Sequence, residues 1–461
     1  MSKIPVRLLP LSLLGLALVS AACAGRGSSP RAPSASESTA AGSSAALACC
    51  GDSAMGVGLR IAADYREPAI TTRRFTHEAY WNAVLPVVTH AGFRVEEVGR
   101  SLHGRALRTI TIGTGRDTVL LWSQMHGDES TATMALADLF RWFANTRAED
   151  RDDALRARIM TGLTLVFLPM LNPDGAERFQ RENAIGVDVN RDARNLATPE
   201  ARALKAVRDR LTPRFGFNLH DQNARTRVGR DGEQAAIALL APAHDESRGY
   251  NAVRERARLV AATLALSFGT ELPRRVAKYD DAFNARAFGD LMQAWGTSTV
   301  LIESGALPGD PEKQRLRALH VGALLSVFDA LATGAYTSAN PDWYELLPFN
   351  ASGASDLLIT GGQLVMPGMP PMRVDLAVNY DDAVARTGGR VREVGDLAGV
   401  IAIDTLDATG LYLHPIASAL TTAPGNAAML QLGAPARFEV RRGAAATSER
   451  VRVIGELPPG N

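Results

Sequence analysis

Cysteine is almost absent from this sequence. There are only 3 in 461 residues, Cys23, Cys49 and Cys50, all near the N-terminus. The rest of the chain therefore has no disulfide framework and no thiolate metal site. Any metal chemistry must rest on imidazole and carboxylate. An excess of one charge is also missing: 50 Lys and Arg stand against 49 Asp and Glu. That balance gives no electrostatic reason to expect a nucleic-acid partner. No block of like charges forms an acidic or basic tail, and no repeat of fixed period occurs.

What is present supports a large folded core. Hydrophobic residues make up 46% of the chain, and this length suggests two or three domains. Residues 1–22 read as an export signal peptide: Lys3 and Arg7 precede an apolar run from Leu8 to Val19, and Ser20-Ala21-Ala22 leads to Cys23. The run is too short, and too interrupted by Pro10 and Gly15, for a membrane span. Cys23 resembles the lipidated cysteine of a bacterial lipoprotein, although Ser20 stands where an aliphatic residue is usual. The expectation is an exported, periplasmic or cell-surface protein, with membrane contact only through a lipid anchor at Cys23, or else plain secretion. Residues 23–65, rich in Ala, Ser, Gly and Pro, read as a disordered tether.

Beyond the tether, Thr118 to Phe140 organises the chain. Val119 to Trp122 is an apolar run of strand length, His126-Gly127-Asp128-Glu129 is polar, and Met134, Leu136, Leu139 and Phe140 give a helical apolar side. His126 and Glu129 thus sit at a strand-to-helix switch, at the mouth where α/β sheets bind ligands. Further strands are predicted over Arg108–Gly113, Leu163–Met170, Phe215–Leu219 and Thr299–Ile302. Helices are predicted over Thr76–Ala91, Pro199–Leu211, Asn251–Phe268 and Gln314–Leu331. The alternation implies an α/β catalytic domain over 66–338 with a mixed, largely parallel sheet flanked by helices. After about Asn340, short strand-like runs such as DLLIT, RVDLAV and VIAID replace the helices, predicting a small all-β domain over 339–461.

Two of these strands end in polar residues. Phe215 to Leu219 runs into His220, and Thr299 to Ile302 runs into Glu303. A strand-end histidine aims at the crevice that holds His126 and Glu129. Two imidazoles and one carboxylate, with no thiolate competing, suit catalytic zinc. A carboxylate closing an apolar strand costs free energy unless it has a task, which makes Glu303 the candidate general base.

In order along the chain, His126-Gly127-Asp128-Glu129, Asn172-Pro173-Asp174-Gly175, Arg181, the run GVDVNRD, His220 and the run IESG resemble the zinc carboxypeptidase family over about Ile70 to Ala335. The resemblance implies one zinc per chain, held by His126, Glu129 and His220, with Asp188 orienting His126. It implies hydrolysis of a C-terminal peptide bond by a zinc-bound water, with Glu303 as general base and Arg181 stabilising the oxyanion. Asn190 and Arg191 would grip the substrate's terminal carboxylate, and Tyr279 would match the family's mobile tyrosine. The partner implied is a peptide with a free C-terminus. The segment between Asn172 and Asp188 is shorter than in digestive members, and no acidic floor of a basic-residue pocket is identifiable. One alternative is a zinc amidase or deacylase acting on cell-wall peptides or N-acyl amino acids. Another is a peptide-binding lipoprotein without turnover.

Overall fold

The computed structural model describes residues 53–145, 151–422 and 428–455. The signal peptide, Cys23 and the tether up to residue 52 lie outside the described residues. An eight-stranded sheet organises the first part of the chain. Its strands are β1 (Arg94–Arg100), β2 (Ala106–Ile112), β3 (Asp117–Ser123), β4 (Leu163–Leu168), β5 (Phe215–Asp221), β7 (Ile237–Leu240), β8 (Val276–Lys278) and β9 (Ser298–Ser304). The two-residue β6 (Arg227–Val228) lies outside it, and the spatial order is β1-β2-β4-β3-β5-β9-β7-β8. The four central strands, β4, β3, β5 and β9, are parallel. β2 meets β4, and β7 meets β9, in antiparallel pairs. The mixed, largely parallel sheet expected from the sequence is therefore present.

The flanking helices are α1 (Ala54–Asp64), α2 (His77–His90), α3 (Thr131–Phe143), α4 (Asp153–Gly162), α5 (Pro173–Arg178), α6 (Pro199–Leu211), α7 (Ala252–Glu271), α8 (Phe288–Ala294) and α9 (Gln314–Thr333). They cover both faces. Val119, Leu121, Phe217, Val300 and Ile302 pack with residues of α3, α7 and α9 on one side. Leu120 and Trp122 pack with Leu204 of α6 and with Phe288 and Met292 of α8 on the other. Cover on both faces is why β3 reads as a continuous apolar run with no alternation. Helix α9 is long and apolar enough to cross a membrane, but most of it is buried in this core.

Two expected boundaries are corrected. The tether was expected to reach residue 65, yet α1 starts at Ala54, capped by the Ser53 hydroxyl accepting from Gly56 N at 3.0 Å. Its Gly and Ala residues resemble a linker in composition but act as a packing surface. A Cβ on Gly58 would lie 2.3 Å from Gly322 Cα in α9, so only glycine permits that approach. The catalytic domain was expected to end at 338, but Tyr336 and Tyr344 belong to its hydrophobic core. The Tyr344 hydroxyl, on α10 (Asp342–Glu345), accepts from Ala241 N at 3.0 Å.

The C-terminal region is strand-rich, as expected. After β10 (Asn350–Ala351) come β11 (Ser355–Leu364), β12 (Met372–Asp382), β13 (Thr387–Gly395), β14 (Ala402–Asp407) and β15 (Tyr412–Pro415). They are followed by β16 (Leu420–Thr422), β17 (Ala428–Leu430), β18 (Phe438–Arg441) and β19 (Arg450–Ile454). The β13-β12-β11-β15-β18-β19 sheet, with β14 beside β11, has its own apolar cluster, including Ile359, Leu376, Val378 and Phe438. Polar contacts tie it to the α/β part. Arg225 grips Asp356 Oδ2 from Nε and Nη2 at 2.9 and 2.8 Å, Arg73 pairs with Asp382, and β10 pairs with β6.

Candidate metal centre and substrate pocket

The site forms where β3, β5 and β9 end. Sheet register sets His220 of β5 opposite Glu303 of β9, and Asn218 opposite Leu301. Side chains two residues apart share a face. Phe217, Leu219, Val300 and Ile302 go to the α3/α7/α9 core, so Asn218, His220, Leu301 and Glu303 face the opposite side, towards α8. His126 follows β3, and Glu129 stands just before α3.

Two glycines fix the loops around this point. A Cβ on Gly127 would lie 2.0 Å from Gly175 C, and one on Gly175 would lie 2.5 Å from Asn172 Nδ2. The His126–Glu129 turn and the Asn172–Gly175 turn therefore pack backbone to backbone, which joins two motifs far apart in sequence. The Arg181 carbonyl accepts from Gly127 N at 3.4 Å and from Asn172 Nδ2 at 3.2 Å, and so Arg181 is delivered to the cluster.

The donor atoms converge. His126 Nδ1 is 2.7 Å from Glu129 Oε1, His220 Nδ1 is 2.6 Å from Glu129 Oε2, and the two Nδ1 atoms are 3.1 Å apart. All three side chains are buried, with ligand atoms within 4.8 Å of one another. His126 Nε2 lies 3.1 Å from Asp188 Oδ1. A carboxylate accepts, so Nε2 carries the proton and Nδ1 presents a lone pair to the centre. Acceptors crowded about one point require a cation between them, and this donor set fits zinc. Without one, a proton must serve. Burial opposes an imidazolium at His126, but the Glu129 charge and the Asp188 and Glu129 hydrogen bonds prevail and raise it to about 9. His220, more deeply enclosed, is pushed down by burial. Burial works against ionised Glu129 as well, yet the two histidines hold it well below the usual carboxylate range.

Arg181 donates to Asp188 Oδ2 from Nε and Nη2 at 3.1 and 2.9 Å, while Nη1 lies 3.1 Å from His126 Nδ1. Asn190 follows Asp188, which accepts its N–H at 2.8 Å, and Asn190 Oδ1 accepts from Phe288 N at 2.9 Å. Arg191 is exposed. Its Nη1 donates only to the neighbouring Asn190 carbonyl, at 2.8 Å, and it has no ion pair among the described residues. Glu303 is buried beside the cluster, and its carboxylate takes no hydrogen bond among the described residues. Burial, then the Glu129 charge, pushes it up to about 8. Tyr279 reaches the same cavity from the loop after β8; the Glu303 charge, then burial, raises its phenol.

The structure thus brings together on one cavity of about 560 Å³ His126, Glu129, Arg181, Asn190, Arg191, Tyr279 and Glu303. His220 and Asp188 join them through the contacts above. Sequence reading missed Lys313, whose Nζ meets Asp221 Oδ2 at 2.9 Å beneath the cluster. It also missed Asn218 and Asp290, which line the cavity. Asn218 carried a signal in hindsight, as a polar residue inside an otherwise apolar strand. Asp290 and Lys313 carried none.

Residues 90–224 match the zinc carboxypeptidase family. The match contains every candidate site residue except Tyr279 and Glu303. An uncharacterized protein of Zymomonas mobilis is 25% identical over 179 residues, 35% of this chain and 46% of that protein. A protein of Trichophyton verrucosum named probable carboxypeptidase 2 is 30% identical over 127 residues, 27% of this chain and 23% of that protein. The matched stretch spans less than half the length of either relative. Among solved structures, a metallo-carboxypeptidase from Burkholderia cenocepacia aligns with a TM-score of 0.44 and 16% identity, covering 57% of this chain and 70% of that one.

Proposed function

We propose that this chain, which carries a zinc carboxypeptidase domain, hydrolyses the C-terminal peptide bond of peptides. One observation carries the reading: a cationic fork, Arg191, without an ion pair among the described residues, stands on the same cavity as the zinc donor set and a buried carboxylate, Glu303, that has no ion pair among them either. A guanidinium fork matches a carboxylate with parallel hydrogen bonds. Arg191 and Asn190 would fix the terminal carboxylate of the substrate, so that the last peptide bond lies over the cluster. An enzyme that ignored the terminus, such as an amidase, would not require that fork.

When bound, zinc supplies Lewis-acid polarisation of the carbonyl and a lowered pKa for water. The chain's own residues do the rest. Glu303, buried beside the donor set, takes a proton from the attacking water and delivers it to the leaving amine. Arg181, held by Asp188, turns its remaining N–H groups towards the carbonyl oxygen, where negative charge develops. Asp188 fixes the tautomer of His126. A binding module without turnover would need neither Glu303 nor Arg181. Residues 1–22 support export as part of this proposal, and Cys23 supports lipid anchoring; Cys23→Ser should then move the protein from the membrane fraction to the soluble fraction.

The test compares free-acid and C-terminally amidated peptides with zinc-loaded enzyme. A hydrogen bond to a charged group is worth about 1.5–3 kcal/mol, which at 1.4 kcal/mol per decade is roughly one to two decades in kcat/KM against the amide. Arg191→Ala should lose most of that preference and keep its zinc. Equal cleavage of both peptides by the wild type overturns the carboxypeptidase reading in favour of an amidase.

A further inference from the structure

We propose that β10, the strand that leads into the C-terminal β-region, is part of the substrate site: Asn350 Oδ1 accepts the N–H of the second residue upstream of the scissile bond. This rests on the carboxypeptidase reading and gives the β-region a share in substrate recognition.

β10 lies outside residues 90–224, the stretch that matches the family. Asn350 and Ser352 nevertheless line the same cavity as the metal donor set. They are two residues apart, so an extended chain turns them to one face. Phe349 turns the other way, where Lys278 Nζ lies 5.0 Å from its ring centre. The segment is held on two sides. Asn350 pairs with Val228 and Ala351 with Arg227 of β6, while the Pro348 and Phe349 carbonyls accept from Lys278 N and Gly229 N, each at 2.8 Å. Backbone hydrogen bonds to both neighbours make it a fixed wall.

Sheet register gives the direction of the substrate. The row of His220 and Glu303 marks the metal cluster. Two residues deeper on the same strands, Asn218, Leu301 and Leu240 make the floor. The grip for the terminal carboxylate belongs to that end. Asn190 Oδ1 accepts from Phe288 N, at the start of α8, and a Cβ on Gly289 of α8 would lie 3.4 Å from Asn218 Nδ2. Two residues in the other direction stands Gln222, whose N–H donates to the Ser304 carbonyl at 2.8 Å and prolongs the β5–β9 pairing. Gln222 is therefore about 6.6 Å beyond the cluster at the rise of a β-strand. An extended peptide covers about two residues in that distance. A substrate held by Arg191, with its last bond over the cluster, brings the N–H of its second upstream residue level with Gln222.

An acceptor stands at that level. Asn350 Nδ2 donates to Gln222 Oε1 at 3.1 Å, the only side-chain hydrogen bond of Asn350 among the described residues. Gln222 thereby fixes the Asn350 amide and leaves Oδ1 as its free end. The neighbours on this side of the cavity, Gln222, Asn223, Thr226 and Ser352, carry no charge. The complement of an amide oxygen among neutral groups is a neutral N–H, which a peptide backbone supplies whatever its side chain.

The experiment compares acetyl-Ala-Ala-Leu with acetyl-lactyl-Ala-Leu, in which an ester oxygen replaces that N–H, on zinc-loaded wild type and Asn350→Ala. A melting curve checks that the variant folds, and the wild-type comparison stands without it. In the wild type the ester should lower kcat/KM about three- to tenfold, the worth of a neutral hydrogen bond. Asn350→Ala should lose a similar factor on the amide peptide and respond little to the ester, because the bond is already missing. A wild type indifferent to the ester overturns the inference, and so does an ester penalty undiminished in Asn350→Ala; the carboxypeptidase reading survives either result. If neither peptide is cut, that reading fails, and β10 is judged by calorimetry with the same two peptides. Tighter binding of the amide peptide that Asn350→Ala abolishes still supports the inference, and equal binding overturns it.

Discussion

Lys313 is the buried cation on which the acidic side of the metal centre depends. Its side chain is 4% exposed, and Asp221, its partner at 2.9 Å, is 8% exposed. Asp221 also accepts from Thr131 Oγ1 at 2.6 Å, and its backbone N–H donates to Glu129 Oε2 at 3.1 Å. Lys313→Met keeps much of the stem and removes the charge. Asp221 is then left buried without a counter-ion, near Glu129 and Glu303. Breaking a buried pair from one side costs about 3–5 kcal/mol, mostly from the stranded charge. Asp221→Asn combined with Lys313→Met removes both charges, and Asn still accepts from Thr131. The double variant should therefore lose only about 1–2 kcal/mol, a coupling of roughly 2 kcal/mol or more. The assay is urea denaturation of metal-free protein followed by the fluorescence of buried Trp122 and Trp142. Metal is omitted because ligand binding adds its own stabilisation. A Lys313→Met cost under about 1 kcal/mol, or a double variant that loses the sum of the two singles, would refute this account of how the charge under the site is balanced.

Three further outcomes follow from the same geometry. His220→Ala should empty the site by metal analysis and remove the rise in melting temperature on adding zinc; a full zinc complement would disprove its role as a ligand. Glu303→Gln should lower turnover by more than the ~10²–10⁴ of ordinary acid–base catalysis, because one group handles two transfers, while zinc stays bound; near-normal turnover would require another base. His320, which contacts Ser304 Oγ at 2.5 Å, is lowered to about 3 by burial and by Lys313. The folded state thus keeps it neutral, whereas the unfolded chain protonates it below about 6.5. Stability is full above 6.5 and is lost as pH falls towards 3, by about 2 kcal/mol already at pH 5. His320→Gln should flatten that acid limb in denaturation curves at pH 7 and pH 5, and an unchanged limb would count against the assignment.

Much of the site was legible in sequence because its signals are local. His126 and Glu129 come from one strand-to-helix switch, and the glycines of their motif and of Asn172–Gly175 are dictated by a contact of bare backbones. His220 and Glu303 stood out because a polar residue closing an apolar strand needs a reason. The apolar run of β3 implied a sheet covered on both faces. Composition misled at α1, where small residues that resemble a linker are in fact what lets the helix lie against α9.

What the sequence could not supply was neighbourhood. Strand periodicity tells which residues face one way, but not which strand lies beside which. That β9 adjoins β5, so that Glu303 faces the same cavity as His220, was settled only when the sheet assembled. The antiparallel insertion of β7, which completes the pocket floor with Leu240, was settled in the same way. Asp290 and Lys313 belong wholly to this second category. An aspartate in a short helix and a lysine before a long one are ordinary surface residues by sequence. They become a pocket wall and a buried counter-ion because long-range packing removes water from them, and desolvation is a property of the assembled core that no local pattern encodes.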